Sequence, residues 1–280
     1  MGILYFVSTP IGNLEDITLR ALRTLREVDI IAAEDTRVTR ALLSHYDIHT
    51  KLISHHNANE KLMVEKMLEI LANQDVAVVS DAGTPLINDP GFPLLNAALE
   101  AGYTVVPIPG ASSPITALSV SGLPVDEFTY LGYLPHKQGE RLTYLKQKSE
   151  MTSTLLLFST PHRLLDDLDA MLTVWGNRRI AVCREMTKKF EEILRTDLQG
   201  ALDHFHTNPP LGEFVLVVHG TEISTRWDQN TVESTIAQGI KEGTKSSDLA
   251  SEIAQKSGWS KKEIYRLIES RKTRKQNESG

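Results

Sequence analysis

The chain has 280 residues, 41% hydrophobic and 24% charged, enough to bury two ordinary globular cores, and no apolar run long enough to span a bilayer. Its single cysteine excludes a disulfide framework and a cysteine-based metal cluster and fits a reducing, cytosolic compartment. The net charge of −6 is uneven: residues 241–280 hold ten Lys and Arg against six Asp and Glu, so an acidic body carries a basic tail.

Ile3 to Val7 is continuously apolar and reads as a buried strand, followed by the loop Ser8-Thr9-Pro10-Ile11-Gly12-Asn13-Leu14. A helix is expected from near Asp16, with Ala21, Leu22, Leu25 and Val28 on one face. A strand over 29–33 then ends at Glu34-Asp35-Thr36-Arg37. A helix over 38–43, a short strand at Leu52-Ile53 and a helix over 57–71 come next. Strand 76–79 leads into the stretch around which the chain is organised, Ser80-Asp81-Ala82-Gly83-Thr84-Pro85-Leu86-Ile87-Asn88-Asp89-Pro90-Gly91, and helix 92–100 follows it. The prolines fix φ and the glycines admit left-handed backbone, so this loop has few accessible shapes and lies where open α/β sheets bind ligands. Strand 104–108, the turn Pro109-Gly110-Ala111-Ser112-Ser113-Pro114 and a helix over 115–120 complete a mostly parallel α/β domain, residues 1–123.

A second α/β domain, residues 124–227, is expected from strands over 128–134, 153–158, 180–184 and 214–219. Helices over 140–148, 163–173 and 198–205 lie among them, and some antiparallel pairing is expected. Residues 228–280 read as three short helices (232–240, 246–256 and 261–268) with a weak likeness to a helix-turn-helix, then a disordered end from Arg271.

The first strand lacks the glycine-rich turn that seats a pyrophosphate, and no phosphate-binding G-x-x-x-x-G-K-[ST] occurs, which counts against nicotinamide, flavin and nucleoside-triphosphate chemistry. Between Lys66 and Lys137 there is no Lys or Arg, while seven Asp and Glu fall in the interval. Such a field attracts a cation and repels phosphate, and S-adenosyl-L-methionine is the common cofactor with a positive sulfonium and no phosphate. Glu34, Asp35 and Arg37 place carboxylates and a guanidinium at a strand's carboxyl end, readable as a reactive cluster or as a helix cap with its ion pair. His56 is a candidate base, although its setting, His55-His56-Asn57-Ala58-Asn59, favours a helix cap. Positive charge returns after two strands of the second half, at His162-Arg163 and Lys188-Lys189, so a basic wall facing the acidic loop would suit a polyanionic substrate beside a cationic cofactor.

The set STPIGNLEDIT, AEDTR, SDAGTPLINDPG, IPGASSPITAL, STPHRL, REMTK and GEFVLVV closely resembles one family over almost the whole chain, the ribosomal RNA small subunit methyltransferase I family of the tetrapyrrole-methylase superfamily. The resemblance implies two α/β domains with S-adenosyl-L-methionine in the cleft between them, a homodimer, and 2′-O-methylation of a cytidine in small-subunit (16S) rRNA. By position it implicates Pro10, Ile11, Asp81, Ala82, Gly83, Thr84, Pro85, Leu86, Ile87, Ser112, Ser113, Phe158, Ser159, Glu185 and Phe214 in cofactor binding. Arg37 and Lys188 are assigned to phosphate or oxyanion contacts, and Glu34 or Asp35 to proton acceptance or to orienting Arg37. The basic tail is read as an rRNA-docking appendage. A small-molecule tetrapyrrole methylase and a non-catalytic RNA-binding assembly factor are the alternatives.

Overall fold

The structure, a computed structural model, describes residues 1–55, 60–221 and 227–278. The chain forms two compact units, Met1–Thr221 and Glu222–Gly280.

The first unit contains two five-stranded sheets. In the first, β1 (Ile3–Val7), β2 (Ile30–Ala33), β3 (Lys51–Ser54), β4 (Val76–Val79) and β5 (Thr104–Ile108) pair in the order β3-β2-β4-β1-β5, all parallel. Helices α1 (Leu19–Glu27) and α2 (Thr36–His45) cover one face, and α3 (Glu60–Leu71) and α4 (Phe92–Glu100) the other. Because side chains alternate along a strand, Leu4 and Phe6 enter one core with Met67 and Leu94, while Val7 enters the opposite core with Leu25 and Leu43. Continuously apolar strands are what a sheet covered on both faces requires.

In the second sheet, β6 (Phe128–Tyr133), β7 (Thr154–Ser159), β8 (Arg179–Arg184), β9 (Glu192–Asp197) and β10 (Phe214–Val218) run in the order β6-β7-β10-β8-β9. Only β6 and β7 are parallel; the others pair antiparallel. Helices α6 (Gln138–Gln147), α7 (Leu164–Trp175) and α8 (Leu198–Thr207) cover one face. The other receives α5 (Ser113–Val120), whose Ala117 and Leu118 pack with Leu156, Ala181, Cys183 and Val215. A helix from the first half thus fastens the second sheet and fixes the loops at its own N-terminus against that sheet.

Three expectations are corrected. The first helix starts at Leu19, because Asn13 closes a separate 3-10 turn over Leu14–Asp16 and the Thr18 hydroxyl then caps α1 by accepting from Ala21 N–H at 3.0 Å. Strand β9 is an additional element. The last helix does not stop at residue 268 but continues to Glu278. The expected helix start at 57–59, with His56, lies outside the described residues.

The second unit is a three-helix cluster of α9 (Gln229–Lys241), α10 (Ser246–Ser257) and α11 (Lys261–Glu278) around Val232, Ile236, Leu249, Ile253, Ile264 and Ile268. Ser260 and Glu263 exchange hydrogen bonds in a capping box that starts α11. No helix among the described residues is long and apolar enough to cross a membrane.

Candidate active site

Of the five non-glycine residues with left-handed backbone among those described, Leu86 and Asn88 lie in the β4–α4 loop and Glu185 and Thr187 in the β8–β9 loop. Such conformations cost of order 1 kcal/mol or more each and cluster where a ligand must be held. The β4–α4 loop is also tied down. Thr9 and Gly83 exchange backbone hydrogen bonds at 2.9 and 3.0 Å, and the Thr84 hydroxyl donates to Ala111 C=O at 3.1 Å, linking the loops after β1, β4 and β5.

These loops and the strand ends of the second sheet, from β6, β7, β8 and β10, enclose a hollow of about 310 Å³. Ile11, Glu34, residues 81–84 and 87–89, and residues 112–114 form one side. Tyr133, Phe158, Ser159, Cys183, Met186 and residues 213–215 form the other. Among the described residues, four carboxylates line it, those of Glu34, Asp81, Asp89 and Glu213, and no Lys or Arg does. Burial raises the Glu34 pKa, with Asp89 and Asp81 adding to it; burial likewise raises that of Asp89, with a contribution from Asp81. The Cys183 thiol is pushed up to about 11 by burial, so it lines the wall as a neutral group.

Asp35 and Arg37 serve the architecture beside the hollow. The Asp35 carboxylate caps α2 by accepting from Arg37 N–H at 2.8 Å and holds the guanidinium at 2.6 Å. These bonds from Arg37 hold Asp35 down to about 2. Asp35 N–H donates to the Asp81 carboxylate at 2.9 Å, joining the β2–α2 and β4–α4 loops. Lys188 is held by Glu185 at 3.0 Å and Glu213 at 2.9 Å. Two glycines make room for this cluster: a Cβ at Gly12 would lie 2.5 Å from the Lys188 stem, and one at Gly212 would lie 2.4 Å from Glu185.

Of the residues singled out from sequence, Glu34, Ile11, Asp81, Ala82, Gly83, Thr84, Ile87, Ser112, Ser113, Phe158, Ser159 and Phe214 converge on the hollow. Pro10 and Lys188 line a second, adjoining hollow of about 360 Å³. Leu86 packs toward the α3–α4 core, Pro85 is buried, and Glu185, Asp35 and Arg37 stand behind or beside the walls as anchors. The residues assigned from sequence to cofactor binding or catalysis leave out Asn88, Asp89, Pro114, Tyr133, Cys183, Met186, Glu213 and Val215, which also line the hollow. Asn88 and Asp89 belong to the same Gly/Pro-rich stretch, and Glu213 directly precedes a buried strand; both were available as signals.

Behind Ser159 lies a buried ionic cluster. The Ser159 hydroxyl donates to Asp167 at 2.8 Å, Asp167 also accepts from Arg141 at 2.8 Å, and Arg163 donates to Leu134 C=O at 2.6 Å.

A family model for Tetrapyrrole (Corrin/Porphyrin) Methylases matches residues 3–201. The Ribosomal RNA small subunit methyltransferase I of Halalkalibacterium halodurans is 42% identical over 272 residues, covering 95% of this chain and 94% of that protein. The protein of the same name from Bacillus subtilis is 39% identical over 272 residues, covering 95% and 93%. The chain belongs to the ribosomal RNA small subunit methyltransferase I family, within the tetrapyrrole methylases. As a member of this family it is a methyltransferase. The architecture agrees: the crystal structure of diphthine synthase superposes with a TM-score of 0.64 at 16% identity, covering 78% of this chain and 90% of that one. Cobalt precorrin-4 methyltransferase superposes with a TM-score of 0.56 at 20% identity, covering 77% and 94%. At those identities the likeness speaks for the fold alone.

Proposed function

We propose that the protein transfers a methyl group from S-adenosyl-L-methionine to the 2′-hydroxyl of a cytidine ribose in small-subunit (16S) rRNA, working as a homodimer in the cytoplasm. The observation that carries this reading is a hollow that, among the described residues, four carboxylates and no lysine line, beside the Lys188 cluster, in a chain whose relatives over nearly its full length are named for small-subunit rRNA methylation.

The residues present fit this donor. Glu34, Asp81 and Asp89, beside a Glu213 already paired with Lys188, favour a sulfonium and an ammonium and disfavour a phosphate-bearing cofactor. Ser112 caps α5 with no side-chain hydrogen bond of its own to that turn, leaving backbone N–H groups there for a carboxylate. Phe158 and Met186 supply apolar wall for an adenosine. When bound, the donor supplies a methyl group whose carbon–sulfur bond breaks as the ribose oxygen attacks, the bonding pair passing to sulfur.

The chain's own residues then have three tasks: to align the 2′-oxygen with the methyl at roughly 3 to 3.5 Å, to take its proton, and to exclude water. Glu34 is the proton acceptor in this reading, because its raised pKa makes it a better base than an ordinary carboxylate. Asp35, held near 2 by Arg37, is a poor base and acts by orienting α2 and its arginine. Arg37 and Lys188 contact RNA phosphate or the developing oxyanion. Lys256, Lys261, Lys262, Arg266 and Arg271 of α10 and α11 dock rRNA.

The test is transfer of labelled methyl from S-adenosyl-L-methionine to small ribosomal subunits, followed by nuclease digestion. Label in a 2′-O-methylcytidine is the expected result. Label in an offered porphyrinogen, or in no nucleotide, overturns the reading.

A further inference from the structure

We infer that the second hollow, between the loop after β1 and helix α2, is the seat of the acceptor base: a single unpaired nucleotide enters it, turned out of its RNA stack. The inference rests on the proposed rRNA activity and adds where and how the substrate is held.

Three observations carry it. First, this hollow of about 360 Å³ shares Ile11, Asp81, Ala82 and Glu213 with the first, so a ribose at their common wall would reach a methyl group held in the first without crossing solvent. Second, the far wall is apolar and open. Leu14 is 38% and Val38 45% exposed, with Pro10 and Leu42 beside them, a surface that would stack on the face of a base and offers nothing to a chain of phosphates. Third, cations stand on the elements that build it. Lys188 lines it, Arg37 has 86% of its side chain exposed at the start of α2, and Arg40 is exposed one turn on. On the Lys188 loop, Lys189 lies over the ring of the exposed Phe190 at 5.6 Å. Exposed cations and an exposed aromatic on these two elements suit the backbone and the neighbouring base of a single strand. A largely apolar slot flanked by elements that carry exposed cations, next to an anionic donor hollow, thus suits a base, its phosphates and a sulfonium side by side.

Val38→Trp fills the slot without touching the first hollow. Steady-state methylation of small ribosomal subunits should show KM raised roughly tenfold or more, about 1.4 kcal/mol, while calorimetric titration gives wild-type affinity for S-adenosyl-L-methionine. Wild-type KM in this variant overturns the seat, and an altered oligomeric state with unchanged KM assigns the patch to contact between copies of the chain. If the variant folds poorly, a second measurement decides: an RNA substrate with a photoreactive pyrimidine at the methylated position should crosslink the wild-type protein within residues 10–14 or 38–42. Crosslinks only elsewhere overturn the proposal. Absence of methyl transfer by the wild type to any small-subunit RNA is a different result, which removes the parent reading and the seat with it.

Discussion

Glu34 is placed to conflict with its surroundings. Burial raises its pKa, and Asp89 and Asp81 raise it further, so it stabilises the fold while protonated, below its ordinary value of about 4.3, and that contribution is lost as pH rises through the higher folded-state value. Retention of a group that opposes folding at neutral pH points to use. Glu34→Gln should therefore raise the Tm at pH 7, and the gain should disappear below about pH 4, where the native carboxyl is itself protonated. The same variant should lose turnover by roughly 100-fold with affinity for S-adenosyl-L-methionine retained. Thermal melts across pH and single-turnover methylation check the pair of effects; unchanged turnover would return Glu34 to a purely electrostatic role. Asp35, two bonds into its cap and paired with Arg37, has the opposite sign: its stabilisation is present above about 3.9 and is lost as pH falls through about 2.

At the scale of elements, the ends of β6 and β7 are held from behind by α6 and α7. Arg141 and Asp167 are 4% and 1% exposed, and Asp167 also accepts from the hydroxyl of Ser159, a residue that lines the hollow. Removing Asp167 leaves the buried Arg141, among the described residues, with only Asp166, at 3.5 Å, so Asp167→Ala should cost about 3 kcal/mol in denaturant unfolding. A cost under 1 kcal/mol would show that water or rearrangement satisfies Arg141. None of this was legible beforehand, because Arg141 and Asp167 lie far apart in sequence and each reads as a solvated charge on an amphipathic helix. The β4–α4 loop was legible for the opposite reason: its prolines, glycines and acids are contiguous, so local chemistry alone restricts it. The first sheet followed from its uninterrupted apolar strands, whereas β9, an edge strand reading Glu-Ile-Leu-Arg-Thr-Asp, pairs only with β8, carries exposed charge and shows no clean period. The second hollow was not legible either, since its walls come from a loop and a helix that only the fold brings together. Lys188 read as one member of a basic wall; the structure shows it restrained by two carboxylates.

Over the whole molecule, charge is divided by task. The first unit gathers carboxylates around one hollow, and the last helices carry the excess of Lys and Arg, with a core of their own in Val232, Ile253 and Ile268. A chain ending at Thr221 should keep its affinity for S-adenosyl-L-methionine and lose RNA affinity, with a shallower dependence of log K on log salt because fewer phosphates are neutralised. Filter binding at several salt concentrations measures this, and an unchanged slope would detach the tail from RNA docking. The charge of the donor hollow is the claim on which both the mechanism and the acceptor seat depend. A crystal structure with S-adenosyl-L-methionine tests it most directly: the donor should lie between Asp81–Asp89 and Ser112–Ser113 on one side and Phe158, Met186 and Phe214 on the other, its sulfonium within the field of Glu34 and Asp81. A donor found outside that hollow, or a phosphate bound within it, would contradict the account.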